Sequence, residues 1–71
     1  MAALNAARFR KRLRQARGER SQESVALAVG LASYQAIQAY ESGRVVPKID
    51  MCERLAAALN VRAAWLAGWE E

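Results

Sequence analysis

The sequence contains no histidine, one cysteine and one proline, and each shortage limits the chemistry available to the chain. The single Cys52 cannot form a disulfide within the chain, and without histidine a mixed His/Cys zinc site cannot be built. The usual pairings of a nucleophile with a general base are also missing. We therefore expect no enzyme, no catalytic residues, no metal site and no cofactor.

Long apolar runs are absent too, since none approaches the roughly 20 residues that a membrane-spanning helix needs. Nothing resembles a secretory signal, so we expect a soluble cytoplasmic protein with no membrane partner. The first 18 residues are rich in arginine and alanine and lack acids, which also suits a mitochondrial transit peptide. Their apolar residues have the spacing of a packed helix, however. A length of 71 residues predicts one domain, residues 1–71.

Positive charge is concentrated at one end of the chain. Residues 1–20 contain seven of the eleven lysines and arginines but one of the seven acids, so they carry +6 and the remainder carries −2. A cluster of this kind suits a polyanion such as nucleic acid, because each cation that neutralises a phosphate releases a counterion. A solvated helix face explains the same cluster equally well.

The apolar spacing predicts an all-α protein, and glycines or Asn60 follow each predicted helix. Tyr40, Cys52 and Trp65 fall on apolar stripes and are predicted to lie in the core, as are Val25, Ala28 and Val29 of the second helix. The predicted helices span about residues 5–17, 22–29, 33–42, 49–59 and 62–67.

The second and third predicted helices meet the requirements of a helix-turn-helix. This motif needs a small residue where the helices cross, a glycine at the turn, and bulky apolar residues that anchor the second motif helix. Ala26, Gly30, Ile37 and Tyr40 occur in that order. An ordinary helical hairpin shares the turn but does not require this spacing.

Three segments resemble the Cro and lambda-type phage repressor family: SQESVA at 21–26, GL at 30–31 and IQAYESG at 37–43. The resemblance continues through Pro47 and the segment ALNV at 58–61 to Gly68, and covers about residues 9–68. It implies a compact five-helix lambda-repressor-like bundle, double-stranded DNA as ligand, and a homodimer on a palindromic operator. It also implies transcription regulation, most often repression.

The sequence departs from the family pattern at two loops. One extra residue lies between Gly30 and Ile37; we assign it to Leu31-Ala32 and keep Ser33 as the helix cap. A second extra residue lies in Gly18-Glu19-Arg20, where the family has a leucine before the Ser-Gln pair. Both loops bear on the tilt of the helix that would contact DNA.

Base contacts are expected from the N-terminal part of the second motif helix, where outward side chains meet base edges. Gln35 is the strongest candidate, since its amide can pair bidentately with adenine. Ala39 would touch a thymine methyl or allow close approach, and Tyr34 would contact a base or a phosphate, or pack over the turn. The candidate base contacts are Tyr34, Gln35, Gln38 and Ala39.

Phosphate contacts and supporting roles follow from the resemblance. Arg14 is expected to pair with Glu41 and so orient the recognition helix, although a phosphate contact is the alternative for Arg14. Trp69 lies near the end of the sequence, where either a dimer contact or chain-end disorder would account for it. The candidate phosphate contacts are Gln22, Ser33, Arg44, Lys48 and Arg10.

Two other functions compete with repression. An antitoxin uses the same DNA-binding fold while masking a partner toxin, and a toxin reading frame beside the gene would favour it. The second competing function is binding to a protein partner without binding DNA, because a shared fold does not fix function.

Overall fold

The structure is a computed structural model that describes residues 3–71, and these form five α-helices with no strand. The prediction of an all-helical, five-helix bundle is therefore confirmed. The helices are α1 (Ala6–Arg17), α2 (Gln22–Ala28), α3 (Gln35–Ser42), α4 (Ile49–Leu59) and α5 (Ala63–Leu66).

Side-chain caps fix where several helices begin. The Asn5 side chain accepts the N–H of Arg8 at the start of α1, and Ser21 accepts the N–H of Ser24 at the start of α2, which satisfies donors that have no partner within the helix. At the start of α3, the Ser33 hydroxyl accepts the N–H of Gln35 at 3.1 Å. Regular α3 begins at Gln35, two residues later than predicted.

Other helix boundaries and the burial of one residue also differ from the predictions. α2 ends at Ala28, and α5 is shorter than predicted at both ends. The prediction that Ala28 is buried was wrong, because this side chain is exposed. Ala26, only 1% exposed, is the alanine of α2 that packs inside.

One apolar core is shared by all five helices. α1 packs on α3 and α5, α2 packs on α3 and α4, and α4 packs on α5. Cys52 is fully buried, whereas Tyr40 and Trp65 are partly buried against the core. The largest fully buried side chains are Phe9, Leu13, Val25, Ile37, Cys52, Leu55 and Leu66.

The turn between α2 and α3 depends on Gly30, whose φ of +80° is in the left-handed region that favours glycine. The next N–H, from Leu31, donates to the carbonyl of Ala26 at 2.8 Å and closes the turn. α3 is thereby set across α2 with Ile37 pointing into the core. No helix in residues 3–71 has the length and apolar character needed to cross a membrane.

Candidate nucleic-acid interface

The outward face of α3 carries hydrogen-bonding groups without charge. Gln35, Gln38 and Ser42 are exposed, and their spacing of three and four residues places them on one side of the helix. Tyr34, just before α3, is 44% exposed. The structure thus presents Tyr34, Gln35 and Gln38 to solvent, as a base-reading role requires. Ser42 belongs to the same face and was missed, although it lies seven residues after Gln35.

Ala39 lies four residues after Gln35 but is not exposed with it. The expectation that it points outward was wrong, because it is only 5% exposed. Its carbonyl accepts N–H groups from Arg44 at 3.0 Å and Val45 at 3.4 Å, so the chain after α3 folds back onto this turn. We therefore remove Ala39 from the candidate base contacts.

Glu41 is the one buried charged side chain among residues 3–71, at 4% exposure. Arg17 binds it at two points, with Nε 2.6 Å from Oε2 and Nη2 2.9 Å from Oε1. The amide of Gln22 donates to Oε1 at 3.3 Å, and Nε of Arg14 lies 3.7 Å from the same oxygen. Glu41 thus joins α3 to both α1 and α2.

Arg14 was the predicted partner of Glu41, and it lies within ion-pair distance, but the two-point contact comes from Arg17. Arg17 lies three residues further along α1, so both guanidinium groups project from the same side of that helix. This spacing was the available signal for Arg17. The Arg17 side chain is 19% exposed and the Arg14 side chain 70%, which makes Arg17 the principal partner.

The protonation of Glu41 follows from these contacts. Burial on its own raises the pKa of Glu41, but hydrogen bonds from Arg17 and Gln22, with the nearby charges of Arg17 and Arg14, bring that pKa below its ordinary value. The same hydrogen bond raises the pKa of Arg17. A carboxylate with a lowered pKa stabilises the fold above its unfolded pKa, and this contribution disappears as pH falls through the folded pKa.

The other candidate phosphate contacts surround α3. Ser33, Arg44 and Lys48 are exposed before and after this helix. Arg10 is exposed on α1, with Nη1 3.4 Å from the carbonyl oxygen of Ser42. Gln22 is half-buried at the start of α2, where its amide already donates to Glu41. Arg10 and Gln22 thus contact α3 directly, whereas Ser33, Arg44 and Lys48 adjoin this helix along the chain.

Two arginines of α1 point elsewhere. Arg8 donates to the carbonyl of Gly68 at 3.2 Å, and Arg12 donates to the carbonyls of Trp65 and Glu70. The Arg12 guanidinium also lies 5.0 Å from the centre of the Trp65 ring, a cation–π contact. These two charges hold the C-terminal segment on α1.

Trp69 lies in that segment, and its indole N–H donates to the carbonyl of Ala3 at 2.9 Å. Its polar group is therefore satisfied within the chain, while the ring stays 46% exposed.

Metal and thiol chemistry receive no support from the described part of the chain. Among residues 3–71 no group of three or more His, Cys, Asp or Glu side chains is placed to hold a metal ion. Burial, with a smaller contribution from Glu53, raises the pKa of the Cys52 thiol to about 11. The thiolate needed for nucleophilic chemistry is thus scarce at neutral pH.

We expect Cys52 to resist alkylation in the folded protein. At pH 8, iodoacetamide should modify Cys52 at least about tenfold more slowly in the folded protein than in the urea-denatured chain. In the folded protein the thiolate form is scarce and the reagent cannot reach the buried sulfur. Mass spectrometry of timed samples measures the two rates. Equal rates would contradict a buried thiol with a raised pKa.

Comparison with known proteins agrees with this geometry. The family described as helix-turn-helix matches residues 11–66, which include α2, the Gly30 turn and α3. No curated protein and no solved structure gave a significant match. The chain therefore belongs to the helix-turn-helix family of Cro and lambda-like repressors and is a DNA-binding transcription regulator.

Proposed function

We propose that the chain binds double-stranded DNA sequence-specifically as a cytoplasmic transcriptional repressor, with α3 in the major groove of a palindromic operator. The observation that carries this proposal is the arrangement of α3. Ile37 and Glu41 fix the helix from inside, while Gln35 and Gln38 are exposed and cationic side chains lie on α1 beside α3 and in the loop after it. In such a motif, outward amides read bases and flanking cations bind phosphates.

Selection from random oligonucleotides with the purified chain tests the function directly. We expect a recurring palindrome with half-sites about 10 base pairs apart, or a multiple of that, bound with a dissociation constant on the order of 10⁻⁸ to 10⁻¹¹ M. Failure to enrich any sequence would contradict specific binding. A footprint on one unpaired half-site would contradict the homodimer, for which the Trp69 ring is the proposed contact.

Gln35→Ala and Arg44→Ala should have different effects. Losing the Gln35 amide should cost about 1–3 kcal/mol of discrimination at one base position. Losing the Arg44 charge should weaken binding to all duplexes equally and reduce the salt slope by about one. Titrations of matched and mismatched duplexes at several salt concentrations measure both quantities.

Gln15→Ala and Arg54→Ala are the matched controls, since both side chains are exposed on helices other than α3. Neither should change base preference or the salt slope. If Gln35→Ala behaves like Gln15→Ala at every base position, α3 does not read DNA through this residue.

An antitoxin role is the second candidate, and one surface favours it. Leu27 is 67% exposed and borders a shallow groove with Ala28, Ala57 and Ala58, which suits a protein partner. Two results together would support this role: a toxin gene beside this gene, and loss of binding to that toxin in Leu27→Asp. If no such toxin gene is present, repression remains the only proposed function.

A further inference from the structure

The charges on α1 divide into two groups by what they contact. Arg8 and Arg12 bind carbonyl groups of the C-terminal segment. Arg10, Arg14 and Arg17 lie on the side of α1 that packs on α3. Of the arginines of α1, only this second group contacts residues of α3.

Within this second group, Arg17 is fully engaged. Its Nε and Nη2 bind the two oxygens of Glu41, and its Nη1 donates to the carbonyl of Arg20 at 2.8 Å. Arg20 is part of the loop that contains the extra residue, so this loop helps to hold Arg17 on Glu41. A two-point guanidinium–carboxylate pair of this kind is among the stronger polar contacts in proteins.

Arg14 is engaged much less. Its Nε is 3.7 Å from Glu41 and its side chain is 70% exposed. Because Arg17 already neutralises Glu41, the charge of Arg14 remains available to an anion. Arg14 projects into an open groove between α1 and the end of α3, lined by Ala7, Arg10, Lys11, Arg14, Glu41 and Ser42; we call this the α1 groove.

The α1 groove lies beside the outward face of α3, because Ser42 belongs to both. Arg44 lies just beyond the C-terminal end of α3, where its backbone N–H donates to the carbonyl of Ala39, and Arg44 is exposed. Exposed cations therefore lie both in the α1 groove beside α3 and in the loop that follows α3. A helix in the major groove has a phosphate backbone on each side.

We propose that the α1 groove is a binding site for a DNA backbone phosphate, with Arg14 as its central cation beside Arg10 and Lys11. Arg17 is the residue that positions α3 through Glu41. The proposal rests on the proposed function and reverses the role that family resemblance implies for Arg14.

Lysine and glutamine variants of Arg14 test the phosphate site. Arg14→Gln should reduce the slope of log affinity against log salt by about one, equally for the selected operator and an unrelated duplex. Arg14→Lys should keep the slope, because a phosphate contact requires mainly the charge. Neither variant should change base preference.

Variants of Arg17 test the positioning role. Arg17→Lys keeps the charge but loses the two-point geometry, so the preference for operator over unrelated duplex should fall by roughly threefold or more at an unchanged slope. The double variant Arg17→Gln with Glu41→Gln has the net charge of the original chain. Its preference for operator should also fall, again at an unchanged salt slope. Circular dichroism melting confirms that each variant is folded at the assay temperature.

Two results would overturn the proposal: an unchanged salt slope in Arg14→Gln, or a loss of base preference in Arg14→Lys as large as that in Arg17→Lys. Failure of the proposed function looks different, because the unaltered chain would then bind no duplex selectively. Even in that case the melting temperatures remain informative, since Arg17→Gln should lower the melting temperature more than Arg14→Gln does. The reverse order would overturn the positioning role of Arg17.

Discussion

Replacing Ile37 with alanine is expected to lower the free energy of unfolding by about 2–5 kcal/mol. Ile37 is 0% exposed and is the one large apolar side chain that α3 buries completely. Truncation removes apolar contacts and leaves a cavity between α3 and its neighbours. A chain of this length holds only a few kcal/mol in reserve, on the order of 3–5, so the variant should be largely unfolded at room temperature. Urea denaturation followed by circular dichroism measures the loss.

Gln38→Ala is the control for this substitution, since it changes the same helix at an exposed position. Its effect should stay within about 0.5 kcal/mol. Equal denaturation midpoints for Ile37→Ala and Gln38→Ala would show that Ile37 does not anchor α3. A stabilising osmolyte should restore DNA binding to Ile37→Ala in proportion to the folded fraction, because the substitution removes no outward group.

Gly68→Ala should be the other strongly destabilising change, at about 2–5 kcal/mol. Gly68 has a φ of +85°, and an added Cβ would lie 2.7 Å from Cβ of Asn5 and 2.9 Å from Cβ of Arg8. Left-handed backbone costs an L-residue roughly 1–2 kcal/mol, and overpacking adds about 1–3 kcal/mol. These Cβ atoms are the roots of side chains on or beside α1, so neither can swing aside. Urea denaturation again gives the magnitude.

Gly30→Ala is the control for Gly68→Ala, because it introduces the backbone strain without the steric clash. Gly30 has a φ of +80°, and the nearest group to an added Cβ is the end of the Arg54 side chain at 3.7 Å. We expect only the backbone cost of about 1–2 kcal/mol. If Gly68→Ala is no worse than Gly30→Ala, the C-terminal segment does not pack tightly on the start of α1.

Local features were predictable from the sequence. α4 has the predicted bounds, Ile49–Leu59, because its apolar stripe is regular and Asn60 ends it in the left-handed conformation. The Ser21 cap and the burial of Ile37 follow from equally local rules. The outward position of Gln35 and Gln38 follows from helix periodicity once Ile37 is known to face inward.

Features that depend on the path of the chain in three dimensions were not predictable in this way. Ala39 is buried although it lies four residues after the exposed Gln35, and no periodicity within α3 reveals that. Arg17, rather than Arg14, binds Glu41 at two points, and its Nη1 also donates to the Arg20 carbonyl in the loop after α1. Arg8 and Arg12 are committed to the C-terminal segment, which follows them by more than 50 positions.

The uncharged exposed face of α3 also bears on how such proteins diversify. In residues 3–71 the side-chain amides of Gln35 and Gln38 make no hydrogen bond, and both residues are exposed. Uncharged replacements at these two codons would cost the bundle little and leave its charge unchanged. A gene duplicate could therefore acquire a new target site in one or two steps while inheriting the same scaffold.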